Sequence, residues 1–277
     1  MQISNKHELK QILETQKNWA FVPTMGALHE GHLSLIRQAK EKYQHVICSI
    51  FVNPTQFNRL EDYQKYPKTL EDDLFLLKKE ACDLVFTPNL EEIYANNEIK
   101  INKNYDFGNL EKVMEGKMRP GHYQGVAHIV RVLLEIIQPQ ALYLGEKDFQ
   151  QIAIIKKMLE IEKMLIPVHI GSTVRERSGL AMSSRNRRLS EKGLEIAENI
   201  YKILTFSQKN KGLNPKDLLK KVKEEANQIP EMIWEYIEIH PEDELERVVE
   251  TWEKDKNYRI FCAALIENVR LIDNILL

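Results

Sequence analysis

Short apolar runs alternate with longer mixed segments along the first two-thirds of the chain. Residues 19–22 (WAFV) and 46–52 (VICSIFV) are continuous apolar runs ending near turn residues. The second is rich in β-branched and aromatic side chains, as a strand buried on both faces is. Between them Leu33, Leu35, Ile36 and Ala39 recur among polar residues, which predicts a helix over 32–43. Residues 69–81 (TLEDDLFLLKKEA) predict another. Thr69 is its expected N-cap, and acidic residues in its first turn and lysines in its last both suit the helix dipole. Segments 83–88, 141–145 and 167–174 read as strands, and 123–137 and 148–162 as helices. Such alternation predicts an α/β fold, a parallel sheet with flanking helices.

The pattern changes near residues 173–176. A basic stretch, RERSGLAMSSRNRRLS, leads into two Lys- and Glu-rich helix candidates near 190–208 and 215–227, followed by strand-like segments at 234–240, 258–266 and 268–272. Helices followed by strands predict a smaller C-terminal α+β domain, so the expected partition is 1–174 and 175–277. No internal repeat or low-complexity tract is visible.

Composition narrows the function classes. Hydrophobic residues make up 43% of the 277 and charged residues 29%, with a formal net charge of -2. A nucleic-acid partner is not expected at that balance. Cys48, Cys82 and Cys262 are scattered without CxxC pairing, which argues against a zinc site or a disulfide framework and for a reducing compartment. Cys48 and Cys262 sit in apolar runs, where inert buried thiols are common. The polar start MQISNKHELKQ has no apolar signal-like stretch, and no segment reaches the length of a membrane span. A cytoplasmic protein without a membrane partner is the expectation.

The stretch VPTMGALHEGHLSLI (22–36) carries the most chemistry. It places His29 and His32 three residues apart, with Gly26 and Gly31, where a strand turns into a helix. Three readings compete. A zinc pair is one, although metal-binding helices space histidines as HExxH and no further ligands lie nearby. Structural histidines beside turn glycines are another. The third is an anion site. A strand-to-helix turn points at the carboxyl edge of a parallel sheet, the helix N-terminus favours phosphate, glycines admit close backbone approach, and imidazoles donate to phosphate oxygens. Neither GxxxxGK[ST] nor GxGxxG is present, so neither the Walker loop nor the dinucleotide fingerprint accounts for it.

PTMGALHEGHLSL resembles the nucleotide-binding signature of the pantoate–β-alanine ligase family. That family lies within the HxGH nucleotidyltransferases, together with the class I aminoacyl-tRNA synthetases. SIFVNPTQF (49–57), with Asn53, Pro54 and Gln56, reads alone as a loop-capping amide or a polar ligand contact; it resembles the family's VNPxQF. RPGHYQGV (119–126) reads alone as a mobile loop and resembles RPGHFxGV, except that His128 stands where the family has Thr. LYLGEKDFQQ (142–151) is a second strand-loop-helix turn whose GEKD reads alone as a surface turn in the first place and a phosphate and ribose contact in the second; it resembles FGEKDxQQ. LAMSSRN (180–186), otherwise a basic linker, resembles DGLAMSSRN, the counterpart of the synthetase KMSKS loop, with Ser178 where the family has Asp. YIEIHPEDELE (236–246) and ALIENVRLIDN (264–274) resemble its C-terminal segments, so the likeness spans nearly the whole chain.

The resemblance implies a Rossmann-like first domain, a C-terminal lid, a homodimer, and an ATP- and Mg²⁺-dependent ligase joining pantoate to β-alanine through a pantoyl adenylate. It implies catalytic roles for His32, His29, Lys147 and Arg185. Around ATP it places Met25, Gly26, Ala27, Leu28, His29, Glu30, Gly31, His32, Gly145, Glu146, Lys147, Asp148, Val174, Met182, Ser183, Ser184 and Arg185. Pantoate falls to Gln56 and Gln151, and Asp72 and Asp73 lie near metal-bound phosphates. Closure of the 175–189 loop would shield the adenylate from water. Rival readings are another HxGH nucleotidyltransferase and a non-catalytic nucleotide sensor.

Overall fold

The continuous apolar runs form the strands of a parallel sheet. The computed structural model describes residues 1–94, 99–101 and 103–277. Strands β1 (Gln2–Ile3), β2 (Trp19–Thr24), β3 (His45–Ile50), β4 (Leu84–Phe86), β5 (Ala141–Gly145) and β6 (Val168–Gly171) lie in the order β1-β4-β3-β2-β5-β6. Every pair is parallel. Ala20, Phe21 and Val22 of β2 are fully buried, as are Ile47 and Cys48 of β3. This is why these strands read as continuous rather than alternating runs.

Helices α1 (Lys6–Thr15), α2 (Glu30–Lys42), α3 (Leu60–Gln64), α4 (Leu70–Lys79), α5 (Leu90–Ile93), α6 (Met114–Met118), α7 (His122–Ile137) and α8 (Phe149–Glu162) punctuate the strands. The apolar stripe expected on 32–43 is buried in α2 as Leu33, Leu35, Ile36 and Ala39. Thr69 does sit at the N-cap of α4 but does not cap it. Its hydroxyl donates instead to Asp73 one turn on, at 3.2 Å. Helix α1, for its part, opens on a side-chain cap: Asn5 Oδ1 accepts from the amides of His7 and Glu8.

The chain divides into two units. The first comprises Met1–Phe107, Arg119–Glu146 and Gln151–Ser172; the second comprises Gly108–Met118, Lys147–Gln150 and Thr173–Leu277. The second contains α9 (Glu191–Lys209), α10 (Pro215–Ala226) and an antiparallel sheet of β7 (Ile233–Pro241), β8 (Tyr258–Ile266) and β9 (Val269–Leu276) in that order. Its core gathers Ala197, Ile200 and Leu204 of α9, Leu218 and Val222 of α10, and Ile260, Cys262 and Ala264 of β8.

Strand β9 runs beyond the apolar segment expected at 268–272. Its extension buries Asp273 and Asn274, polar residues that read as a strand end. Arg175 pairs with both carboxylate oxygens of Asp273, at 2.5 and 3.0 Å, and Arg259 donates to Asn274 Oδ1 at 2.5 Å.

The two short excursions in the second unit are held by buried polar groups. Gln150 Nε2 donates to the carbonyls of Leu110 and Val113, and its Oε1 accepts from the Glu115 amide. Glu115 takes two hydrogen bonds from Arg270 at 2.6 Å and one from Tyr236 at 2.7 Å.

All three cysteines are buried thiols, as expected of the apolar runs around Cys48 and Cys262. Burial pushes the Cys48 and Cys262 thiols well up and that of Cys82 up to about 11, away from the reactive thiolate. Among the described residues no helix is long and apolar enough to cross a membrane.

Candidate active site

Strand order places the HxGH turn where parallel α/β sheets bind ligands. From β2 the chain steps through β3 to β4 on one side, and β5 and β6 lie on the other. The direction reverses between β2 and β5, and the turn follows the carboxyl end of β2 at that reversal.

The turn is built from the strand outward. Thr24 Oγ1 donates to the Ser49 carbonyl on β3 at 2.7 Å and accepts from the Gly26 amide at 3.3 Å. Gly26 and Ala27 then take left-handed backbone, φ 79° and 50°. At Gly26 a side chain would also collide, since a Cβ there would stand 2.9 Å from Asp73 Oδ2. The Ala27 and Leu28 amides, turned inward, donate to Asp73 Oδ2 and Oδ1 at 2.9 and 2.8 Å. The chain emerges extended at His29, the N-cap of α2.

The two histidines cap the helix reciprocally. His29 Nδ1 accepts from the Gly31 amide at 3.2 Å, and His32 Nδ1 accepts from the His29 amide at 3.3 Å. Their ring centroids are 4.1 Å apart. An amide N–H bonds only an unprotonated ring nitrogen, so in each neutral imidazole the proton sits on Nε2. Both rings thereby carry an Nε2–H donor beside the positive end of the helix dipole, an arrangement suited to phosphate oxygens that gain charge.

The acidic pair divides between the loop and the surface. Asp73 is 1% exposed, and its two oxygens accept three hydrogen bonds, from Ala27, Leu28 and Thr69. In the structure this carboxylate holds the loop between β2 and α2. Asp72, next to it on α4, is exposed. Among the described residues no group of three His, Cys, Asp or Glu is arranged to hold a metal ion.

Beside the turn, Gln56 closes the three-residue turn Pro54–Gln56 that follows β3. Its side chain is 9% exposed; Nε2 lies 2.7 Å from Met25 Sδ, and Oε1 accepts from Asn53 Nδ2 at 3.3 Å. Asn53 also donates to the Gly125 carbonyl at 3.1 Å and accepts from Tyr94 Oη at 2.5 Å. Gly125 admits this approach because a Cβ there would stand 2.4 Å from the Thr55 carbonyl. The Gln56 carbonyl accepts from His122 Nδ1 at 2.7 Å and from Arg119 at 3.1 Å, while Arg119 donates a second N–H to His122 Nε2 at 3.1 Å. The RPGH stretch, which reads alone as a mobile loop, is thus tied to the Gln56 backbone in the first unit. No local signal announces Tyr94, 41 residues from Asn53 in sequence.

His128, at the departure from the family pattern, is 1% exposed and stacks on Tyr94 with centroids 5.6 Å apart. Its Nδ1 has no hydrogen-bond partner among the described residues. Burial, then the Arg131 charge, hold its imidazole below the ordinary range. Burial likewise pushes the Tyr94 hydroxyl up, so it stays a donor to Asn53.

Of the adjacent glutamines on α8, Gln150 turns inward as described, while Gln151 is half-buried. Gly145 and Glu146 follow β5 in the first unit.

In the second unit, Lys147 Nζ lies 3.4 Å from Asp148 Oδ2, and the Lys147 carbonyl accepts from Asn274 at 2.8 Å. The basic stretch forms a small antiparallel turn: Arg175 bridges to Ala181, and the Met182 amide donates to the Val174 carbonyl at 3.0 Å. Gly179 (φ 92°) fits under the Tyr201 ring, where any Cβ would clash. Ser178 accepts from the Leu180 amide at 3.5 Å. Ser183 caps the turn Ser184–Arg188 by accepting from the Arg185 amide at 3.2 Å. Ser184 is buried, and Ser183 and Arg185 are half-buried.

The family model described as pantoate-beta-alanine ligase matches residues 2–276. Pantothenate synthetase of Cytophaga hutchinsonii is 43% identical over 269 residues, covering 95% of this chain and 94% of that one. The pantothenate synthetase of Aquifex aeolicus is 42% identical, covering 93% and 90%. The crystal structure of pantothenate synthetase from Thermus thermophilus superposes with a TM-score of 0.92 at 36% identity, covering 99% of this chain and 98% of that one. The pantoate-beta-alanine ligase of Francisella tularensis, complexed with beta-gamma ATP and beta-alanine, gives 0.80 at 36% identity, covering 100% and 97%.

Proposed function

The chain belongs to the pantoate–β-alanine ligase family, and from that membership we propose the reaction and the residues that carry it. The protein is a ligase that condenses (R)-pantoate with β-alanine to pantothenate, converting ATP to AMP and pyrophosphate. A carboxylate resists attack by an amine because its charge repels the incoming electron pair. Adenylation removes that charge and installs a leaving group. The pantoate carboxylate attacks the α-phosphorus and pyrophosphate leaves; the β-alanine amine then attacks the acyl carbon and AMP leaves.

One observation carries this reading: two imidazoles capping α2 at the sheet's reversal, each with its proton on Nε2. His29 and His32 donate to phosphate oxygens as charge builds, with His32 the principal donor. Met25, Gly26, Ala27, Leu28, Glu30 and Gly31 shape the nucleotide's surroundings, with the Ala27 and Leu28 amides given to Asp73. Gly145, Glu146, Lys147, Asp148, Val174, Met182, Ser183, Ser184 and Arg185 are assigned to ATP as well, Lys147 and Arg185 as cations on the triphosphate. Gln56 and Gln151 grip pantoate, and Met25 packs on its methyl groups. Among the described residues no three His, Cys, Asp or Glu side chains are arranged for a resident metal ion; Asp73 holds the loop and Asp72 stands exposed. Mg²⁺ carried on the ATP phosphates would neutralise their charge and orient them.

AMP release measured with pantoate or β-alanine omitted in turn tests the reaction. Pyrophosphate release is expected to require pantoate, and amide formation to require both. His32→Ala is expected to lower kcat about 100-fold, the usual cost of losing one transition-state donor. Wild-type turnover in that variant would remove the histidine from the mechanism.

A further inference from the structure

We propose that Asp73, 45 residues beyond Leu28 and on another helix, is a positioning residue for His29 and His32. The inference rests on the role given to those histidines above. The loop between β2 and α2 must reverse within Met25–Leu28, and it does so through two consecutive left-handed residues, one of them an alanine. Left-handed backbone at a residue with a side chain is unfavourable and persists only where the surroundings enforce it. Here the enforcing group is the Asp73 carboxylate. It receives the Ala27 and Leu28 amides at 2.9 and 2.8 Å, is almost wholly buried, and is steadied by Thr69 at 3.2 Å. Two amides converging on the two oxygens of one buried carboxylate fix the backbone more firmly than a single hydrogen bond to a carbonyl.

The consequence reaches the histidines through the chain itself. Leu28 is joined to His29, whose extended backbone begins the reciprocal cap with His32. A loop released from Asp73 loses the anchor one residue before that cap, and both Nε2–H donors shift together. The absence of a side chain at Gly26 serves the same clamp, because a Cβ there would press on the carboxylate.

Asp73→Asn tests the proposal, because it conserves size but sets an amide N–H against one of the two backbone N–H groups. Leu77→Ala is the control: Leu77 is fully buried on the same helix, and its apolar side chain makes no hydrogen bond to the Asp73 carboxylate, so the change lowers stability and leaves the clamp's hydrogen bonds in place. Both variants are compared at equal folded fraction. In Asp73→Asn, kcat is expected to fall about 100-fold with the KM for ATP little changed, as for displaced catalytic groups. In Leu77→Ala, kcat per folded molecule stays at the wild-type value. Without substrate, the amides of Ala27 and Leu28 exchange faster in Asp73→Asn alone, and the imidazole resonances of His29 and His32 move in that variant alone. If Asp73→Asn does not fold, Thr69→Val weakens the same carboxylate and shows a smaller loss of the same kind.

Equal loss of kcat in Asp73→Asn and Leu77→Ala, or unmoved imidazole resonances in Asp73→Asn, overturns the proposal. A wild-type chain that forms no AMP from pantoate and ATP refutes the proposed function instead, and the resonances still decide the clamp.

Discussion

At position 128 an imidazole stands where the family pattern has threonine, buried against Tyr94 and one contact removed from the Asn53–Gln56 pair. Burial and Arg131 lower its pKa, with Glu135 acting the other way. As the pH falls, the unfolded chain therefore takes up this proton before the folded one does. Folding stability should drop as the pH goes below about 6.5, the ordinary histidine value. His128→Thr is expected to flatten that dependence, measured as unfolding free energy by denaturant titration across the range. Single residues differ in how far their sequence announces them. His29, His32 and Gly26 were legible because a motif places them at a strand-to-helix turn. Asp73 was not, since an acidic residue in the first turn of a helix has an adequate local explanation in the dipole. Its actual partners, the amides of Ala27 and Leu28, are tertiary.

At the scale of elements, hydrophobic periodicity found the main strands and most of the long helices, because burial on one or both faces writes itself into the order of side chains. It failed where polar groups carry an element. Strand β9 continues through Asp273 and Asn274 because two arginines satisfy them. The short helix α6 is fixed not by an apolar stripe but by Glu115, itself 5% exposed and held by Arg270 and Tyr236. Burial alone would oppose the charged form of Arg270, yet the hydrogen bonds and charge of Glu115, joined by Glu235, drive its pKa upward. Glu115→Ala leaves that guanidinium without its main partner. The substitution is expected to destabilise the second unit by about 3 kcal/mol, the usual cost of stranding a mostly buried charge, and thermal or denaturant unfolding would register it.

For the whole molecule, the family's homodimer carries over as a proposal, to be checked by light scattering on the purified chain; twice the chain mass is the expected value, and a monomer at micromolar concentration would reject it. A cytoplasmic setting is likewise proposed, in keeping with three buried, unpaired thiols. What the sequence alone determined is the kind of fold and the reaction class: the alternation of apolar runs with amphipathic helices, and a motif whose residues can serve nucleotide chemistry at one kind of turn. Those properties are local, and local order is what a sequence displays. The tertiary structure decided which groups are spent inside the protein, turning Asp73 and Gln150 inward. A buried hydrogen bond joins residues far apart in the chain, and its worth depends on the exclusion of water, which exists only after folding.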